Sequence, residues 1–143
     1  MARGAKFLIG LAAVLIVGIV YHGPLGGGER FIERLEARAA NRVEVTELDG
    51  IRVSFPRAPL SRLATITGEA NSFQRDGLGS FPGLTERIET IPGVSGVRWA
   101  DEPEKRSIPL LVETLFLLVL AYLAGIGLGR LLFGRKKRES FLD

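Results

Sequence analysis

The chain has 143 residues, a formal net charge of +3, 46% hydrophobic residues, one histidine and no cysteine. That length holds one ordinary domain at most, and the missing thiols exclude a disulfide framework, a thiolate nucleophile and any cysteine-ligated zinc or iron–sulfur site. The charge sits at the ends: Arg3 and Lys6 precede one apolar segment, and Arg130, Arg135, Lys136, Lys137 and Arg138 follow another, whereas residues 23–108 carry twelve Arg or Lys against thirteen Asp or Glu. A nucleic-acid face needs clustered excess cations to engage phosphates, and this near-neutral middle gives it no support.

Phe7 to Tyr21, FLIGLAAVLIVGIVY, is free of charge and proline; at about 1.5 Å per residue it covers roughly 22 Å as a helix. Continuing through His22, Gly23, Pro24 and Leu25 brings it closer to the hydrocarbon thickness of about 30 Å. A basic start before a short apolar stretch also fits a cleaved signal peptide. The exit VYHGPLGGG, however, places bulky Tyr21 and His22 where the peptidase needs small side chains, so an uncleaved anchor over residues 1–25 is expected. The glycine-rich GPLGGG, Gly23 to Gly28, reads as a flexible joint.

Phe31, Ile32, Leu35 and Ala39 then recur near helical spacing with charged residues between them, which predicts an amphipathic helix from Glu29 to about Asn41. Residues 43–48 fit either a strand or a loop. Asp49-Gly50 is a tight-turn signal, and Ile51, Val53 and Phe55 alternate as a strand does. After the two prolines of FPRAPLS, Leu63 to Gly68 alternates as a second strand. NSFQRDGLGSF reads as loop; Pro82 opens a second helix with Leu84, Ile88 and Ile91 on one side. PGVSG ends that helix, and Val97 to Ala100 makes a third strand. The expected fold is α+β: a small helix-strand-strand-helix-strand domain over residues 26–104, between two transmembrane helices, burying one apolar layer.

Leu110 to Gly129 supplies twenty residues with Glu113 as the sole charge, enough for one crossing. Ser107 is placed to cap this helix and Pro109 suits its first turn. The second crossing is assigned to residues 105–134 and a basic tail to residues 135–143, with Arg130 and the four cations of the tail as a cytoplasmic anchor. By the positive-inside rule both termini face the cytoplasm and the middle lies opposite, in the periplasm of a bacterial cell whose inner membrane holds the two spans. The tether ADEPEKRS after Trp99 spans at most about 28 Å, which keeps the module near the outer leaflet.

Groups able to do chemistry are few. GVSGV around Ser95 misses the nucleophile-elbow pattern, GLGSFPG lacks the spacing and lysine of a phosphate loop, and neither a catalytic residue, a metal site nor a cofactor is expected. His22, the lone imidazole, falls at the mouth of the first segment. Glu113 is costly if it faces lipid. It either lies at the headgroup level, favoured by the helix N-terminus, or makes a polar contact with His22 or with a cation of another subunit. Ala121, Gly125 and Gly129 form an A-x-x-x-G-x-x-x-G ridge, a spacing that lets a second helix approach closely.

The element order and the stretches LDGIRVSF, ATITGEA and IPGVSGV resemble the BON (bacterial OsmY and nodulation) domain over about Glu29 to Ala100. PRAPL between the strands and NSFQRDGLGSFPG before the second helix depart from the family's pattern. The resemblance implies a non-catalytic module of the cell envelope that associates with phospholipid or other envelope components. The expected function is therefore a non-enzymatic inner-membrane protein with membrane lipids as partners. The alternative is an accessory subunit of a larger respiratory, photosynthetic or transport complex. Its C-terminal helix would bind another membrane protein or a second copy.

Overall fold

The computed structural model describes residues 3–46 and 48–134. Helix α1 (Arg3–His22) and helix α5 (Leu110–Phe133) are long and apolar enough to cross a membrane, and almost none of either is buried within the chain. Between them lie helix α2 (Gly27–Glu44), strands β1 (Arg52–Ser54) and β2 (Leu63–Thr67), a short helix α3 (Ser72–Asp76), a hairpin of β3 (Gly77–Leu78) and β4 (Phe81–Pro82), helix α4 (Leu84–Glu89) and strand β5 (Gly96–Trp99). The chain is thus mixed α+β, with two long apolar helices flanking a small strand-containing region.

The sheet has the order β1-β2-β5, with β1 antiparallel and β5 parallel to the central strand. Cross-strand partners share a face, and the register pairs Val53 with Ile66, Ala64 with Val97 and Ile66 with Trp99. These five apolar side chains therefore form one stripe, against which α2 and α4 close with Ile32, Leu35, Ala39, Leu84 and Ile88. A parallel neighbour to β2 requires a crossover of a dozen residues or more, and residues 68–95 supply it. Trp99 is buried, donates from Nε1 to the Thr85 hydroxyl at 3.0 Å and carries the Arg75 guanidinium 4.2 Å from its ring centroid. Arg75 in turn binds both carboxylate oxygens of Asp101, and that hydrogen bonding holds the Asp101 carboxyl below its usual range.

Four details differ from the sequence expectation. Residues Val43 and Glu44 continue α2, which therefore runs beyond Asn41. NSFQRDGLGSF is ordered: Asn71 and Gln74 form a reciprocal capping box that starts α3, and the glycines after it allow the β3–β4 hairpin. Pro82 belongs to β4, so α4 starts after Gly83. Ser107 does not cap α5; Pro109 occupies the N-cap position, with no side-chain cap.

The largest correction concerns GPLGGG, which is a tight turn rather than a flexible joint. Gly23 N–H and Leu25 N–H donate back to Ile19 and Val20 carbonyls, and Gly26 N–H to Gly23, with Gly26 in the left-handed region at φ 66°. Arg30 locks the turn, its guanidinium donating to the Gly26 carbonyl at 3.2 Å and to the Leu25 carbonyl at 2.5 Å. Gly27 and Gly28 are buried because α2 starts directly against the end of α1: a Cβ on Gly27 would lie 2.6 Å from the Tyr21 carbonyl oxygen, and one on Gly28 2.6 Å from the His22 ring. Gly27→Val should therefore destabilise the detergent-solubilised chain by about 1–3 kcal/mol, the usual cost of overpacking. Gly4→Ala, where a Cβ meets nothing within 4 Å, should leave its thermal midpoint unchanged; equal midpoints for both variants would refute the tight-turn role.

Candidate functional site

α1 and α5 pack as an antiparallel pair. Gly18 lies against Leu115 and Leu118, Gly10 against Tyr122, and the Tyr122 ring meets Phe7 with centroids 5.6 Å apart. Tyr122 donates its hydroxyl to the Phe7 carbonyl at 2.8 Å, whose second lone pair is free of the helix ladder. Gly10, half-buried Val14 and Gly18 recur every four residues along this seam. The two glycines are its points of close approach, with Val14 between them, and the glycines that bound GLAAVLIVG are the mark of this seam in the sequence.

The ridge expected on α5 points elsewhere. Ala121 and Gly125 are exposed, and a Cβ built on Gly125 or Gly129 meets nothing within 4 Å, so among the described residues the A-x-x-x-G-x-x-x-G face is unoccupied. Arg130 sits exposed in the last turn of α5. Arg135, Lys136, Lys137 and Arg138 lie outside the described residues.

At the other end of the pair the module is clamped to the helices. Residues 60–62 meet residues 109–113: Leu110 N–H donates to the Leu60 carbonyl at 2.8 Å, Ser61 and Pro109 form an isolated β-bridge, and Leu110 joins the core of the module. Arg62 completes the clamp. Its Nε donates to Glu113 Oε2 at 2.5 Å and its Nη1 to the Gly93 carbonyl at 3.0 Å, so one guanidinium ties α5 to the loop between α4 and β5. The contact of Glu113 is therefore with a cation of its own module. His22 shares the neighbourhood but packs its ring on the first turn of α2. Nor does the tether ADEPEKRS hang free: Lys105 donates to the Val97 carbonyl at 3.1 Å and Glu102 accepts from Trp99 N–H.

A groove of about 780 Å³ opens where these parts converge. Tyr21 and His22 of α1 form one wall, Arg30, Phe31 and Arg34 of α2 another, and Glu113, Thr114, Phe116 and Leu117 of α5 the third, with Arg62 at its head. Its polar lining lies towards the module and its apolar lining runs down α5. Sequence reasoning flags His22 and Glu113 but not the α2 arginines, which read as an ordinary solvated helix face. Among the described residues no group of three or more His, Cys, Asp or Glu is placed to hold a metal ion. Comparison with protein-family models, with curated proteins and with solved structures finds no match.

The Arg62–Glu113 pair can be tested by a double-mutant cycle. Breaking a buried pair strands a charge and costs about 3–5 kcal/mol; here the side chains keep 29% and 21% exposure, so Arg62→Leu or Glu113→Leu alone should cost about 2 kcal/mol. The double replacement by leucine should recover most of that loss, because no lone charge remains. Thermal unfolding followed by the fluorescence of Trp99 measures all four corners, and strictly additive losses would show that the pair is not coupled.

Proposed function

We propose that this chain is a non-enzymatic membrane protein that presents a BON-like interaction module on the periplasmic face of a bacterial inner membrane, in the service of envelope maintenance. The observation that carries this reading is the clamp of residues 60–62 onto residues 109–113 together with the tight turn at Gly26–Gly28: both connections to the helices are rigid, so the module is displayed at a fixed height and angle at the membrane surface. The BON assignment draws its support from the succession α2, β1, β2, α4, β5 over the stretch that resembles the family. PRAPL and the α3 and β3–β4 insertion remain departures from it. The orientation draws its support from charge. Because α1 and α5 are antiparallel, Arg3 and Lys6 lie at the same end of the pair as Arg130, and cations favour the cytoplasmic side.

A second reading, an accessory subunit of a larger membrane complex, is favoured by the open face of Ala121, Gly125 and Gly129. No hydrophobic force drives helices together in lipid, so close packing at small residues selects partners, and this ridge has none among the described residues. Gly125→Leu with Gly129→Leu should leave insertion intact and strip a co-purifying partner, or a second copy, from the protein on native gels. A partner retained by the double variant removes the ridge from consideration.

Topology decides the main reading. A reporter active only in the periplasm should report when inserted near Gly79, in the turn between β3 and β4, and stay silent when fused after Asp143. The reverse pattern would place the module in the cytoplasm and end the envelope assignment.

A further inference from the structure

The module is close to neutral in sum, but one of its concavities is not. A trough runs between the C-terminal half of α2 and α4, with Arg38, Arg42 and Val45 on one wall and Arg87, Ile91 and Pro92 on the other. It consists of two cavities of about 420 and 340 Å³ that meet at Val45. Among the described residues no carboxylate lines either cavity, and none of the three arginines is ion-paired. Arg38 and Arg87 each donate to a backbone carbonyl, of Pro92 at 3.3 Å and of Pro82 at 3.1 Å; Arg42 is exposed. In the second cavity the lining turns apolar: Phe73 and Phe81 lie beside Val45, and all three are more than half exposed. Large apolar side chains gathered in water at the rim of a charged surface mark a place where something binds.

We infer that this trough docks a segment of a partner protein in which a large apolar side chain stands next to carboxylates. The apolar side chain enters beside Val45, Phe73 and Phe81, and the carboxylates accept charge-assisted hydrogen bonds from Arg42 and its neighbours Arg38 and Arg87. Charge complementarity sets the sign of the occupant, because three guanidinium groups without a carboxylate among them favour an acidic one. A small soluble anion would leave the phenylalanines uncovered. A membrane surface is flat on this scale, whereas Arg38 and Arg42 lie along a concavity whose other wall is Ile91 and Pro92. An isologous contact with a second copy would bring the same three cations of both copies together. Phe73 and Phe81 belong to α3 and β4, in the segment that departs from the BON pattern, so the apolar half of the trough is this chain's own and not a feature of the resemblance. The inference deepens the proposed function: it rests on the module being an interaction domain, but not on which side of the membrane it faces.

The test uses the full chain in phosphatidylcholine nanodiscs and fluorescein-labelled twelve-residue peptides, with empty nanodiscs as background. One peptide carries Phe flanked by Glu in a Gly-Ser background; a second has Gln for each Glu, a third Ala for each Phe and a fourth Lys for each Glu. Fluorescence polarisation should show the Glu–Phe peptide bound at least tenfold more tightly than the other three, the worth of one charge-assisted contact or one buried side chain. Arg42→Glu should lose that preference and take the Lys–Phe peptide instead, whereas Arg42→Lys should retain it. Phe81→Ser should weaken the Glu–Phe peptide about tenfold. Arg42 and Phe81 are exposed, so folding is not at stake, and unchanged Trp99 fluorescence verifies this. No binding of the Glu–Phe peptide, equal binding of the Gln–Phe peptide, or full binding by Arg42→Glu overturns the inference. The chain has no cysteine, so Leu78→Cys, paired with Phe81 across the hairpin, gives a single site for an environment-sensitive label. That label should report water until the Glu–Phe peptide is added. A label already in hydrocarbon marks a membrane-facing surface, and one whose signal depends on the number of copies per nanodisc marks self-association; either result overturns the inference. The topology reporter is read separately: a cytoplasmic module would end the envelope assignment and leave the peptide result standing.

Discussion

A carboxylate one turn inside an apolar helix has few ways to exist. Left facing hydrocarbon, Glu113 would be neutralised or would drag the helix outwards; satisfied, it becomes a fixed point for whatever supplies the cation. Here Arg62 supplies it from the short stretch between two structural commitments: Ser61 is bridged to Pro109, and Leu63 begins the central strand. The strand that organises the sheet is therefore held, within two residues, to a helix long and apolar enough to cross a membrane. Arg62 also bonds the Gly93 carbonyl, so the loop between α4 and β5, which sets where the parallel strand returns, is part of the same arrangement.

The opposite connection reaches rigidity by a different route. Among the described residues no ion pair spans the α1–α2 turn; instead the absence of side chains at Gly27 and Gly28 lets two helix ends touch, and the Gly23 and Leu25 N–H groups satisfy the Ile19 and Val20 carbonyls that the end of α1 leaves without partners. Small residues act likewise inside the hairpin, where Gly10 and Gly18 accept Tyr122 and Leu118. At Gly10, Gly18, Gly27 and Gly28 glycine thus serves close approach rather than flexibility. α1, from Arg3 to His22, reaches about 30 Å by extending towards the N-terminus, not by running through Pro24 and Leu25.

How much of this can be read from the sequence follows from the range of the forces involved. Periodicity is local, so α2, β1, β2 and β5 are visible in Ile32, Leu35, Val53, Ile66 and Val97, and the two apolar helices in bare length. The capping box of Asn71 and Gln74 is also local, but the glycines around it read as loop and hide it. Arg62 with Glu113 cannot be paired from spacing, since 51 residues and an entire domain separate them. The glycine turn is illegible for another reason: GGG has the same composition whether it is solvated and free or pressed against Tyr21 and His22, and only the packing distinguishes these states. The groove combines both difficulties, because Arg62 reaches it from a distant loop and Arg30 and Arg34 lie on a helix face that alternates charges as any exposed face does.

The two surfaces left open on the α1–α5 pair are far apart. Gly125 lies twelve residues beyond Glu113, about 18 Å along α5, whereas the groove occupies the end of the hairpin at the module. A helix seated on Ala121, Gly125 and Gly129 would therefore leave the arginines of α2 uncovered. Both connections of the module are hydrogen-bonded to the helix ends they join. Envelope contact through the module and partnership through the membrane helices are consequently not exclusive: the same rigid junction that would fix the display of the domain keeps the outer face of α5 available along its length.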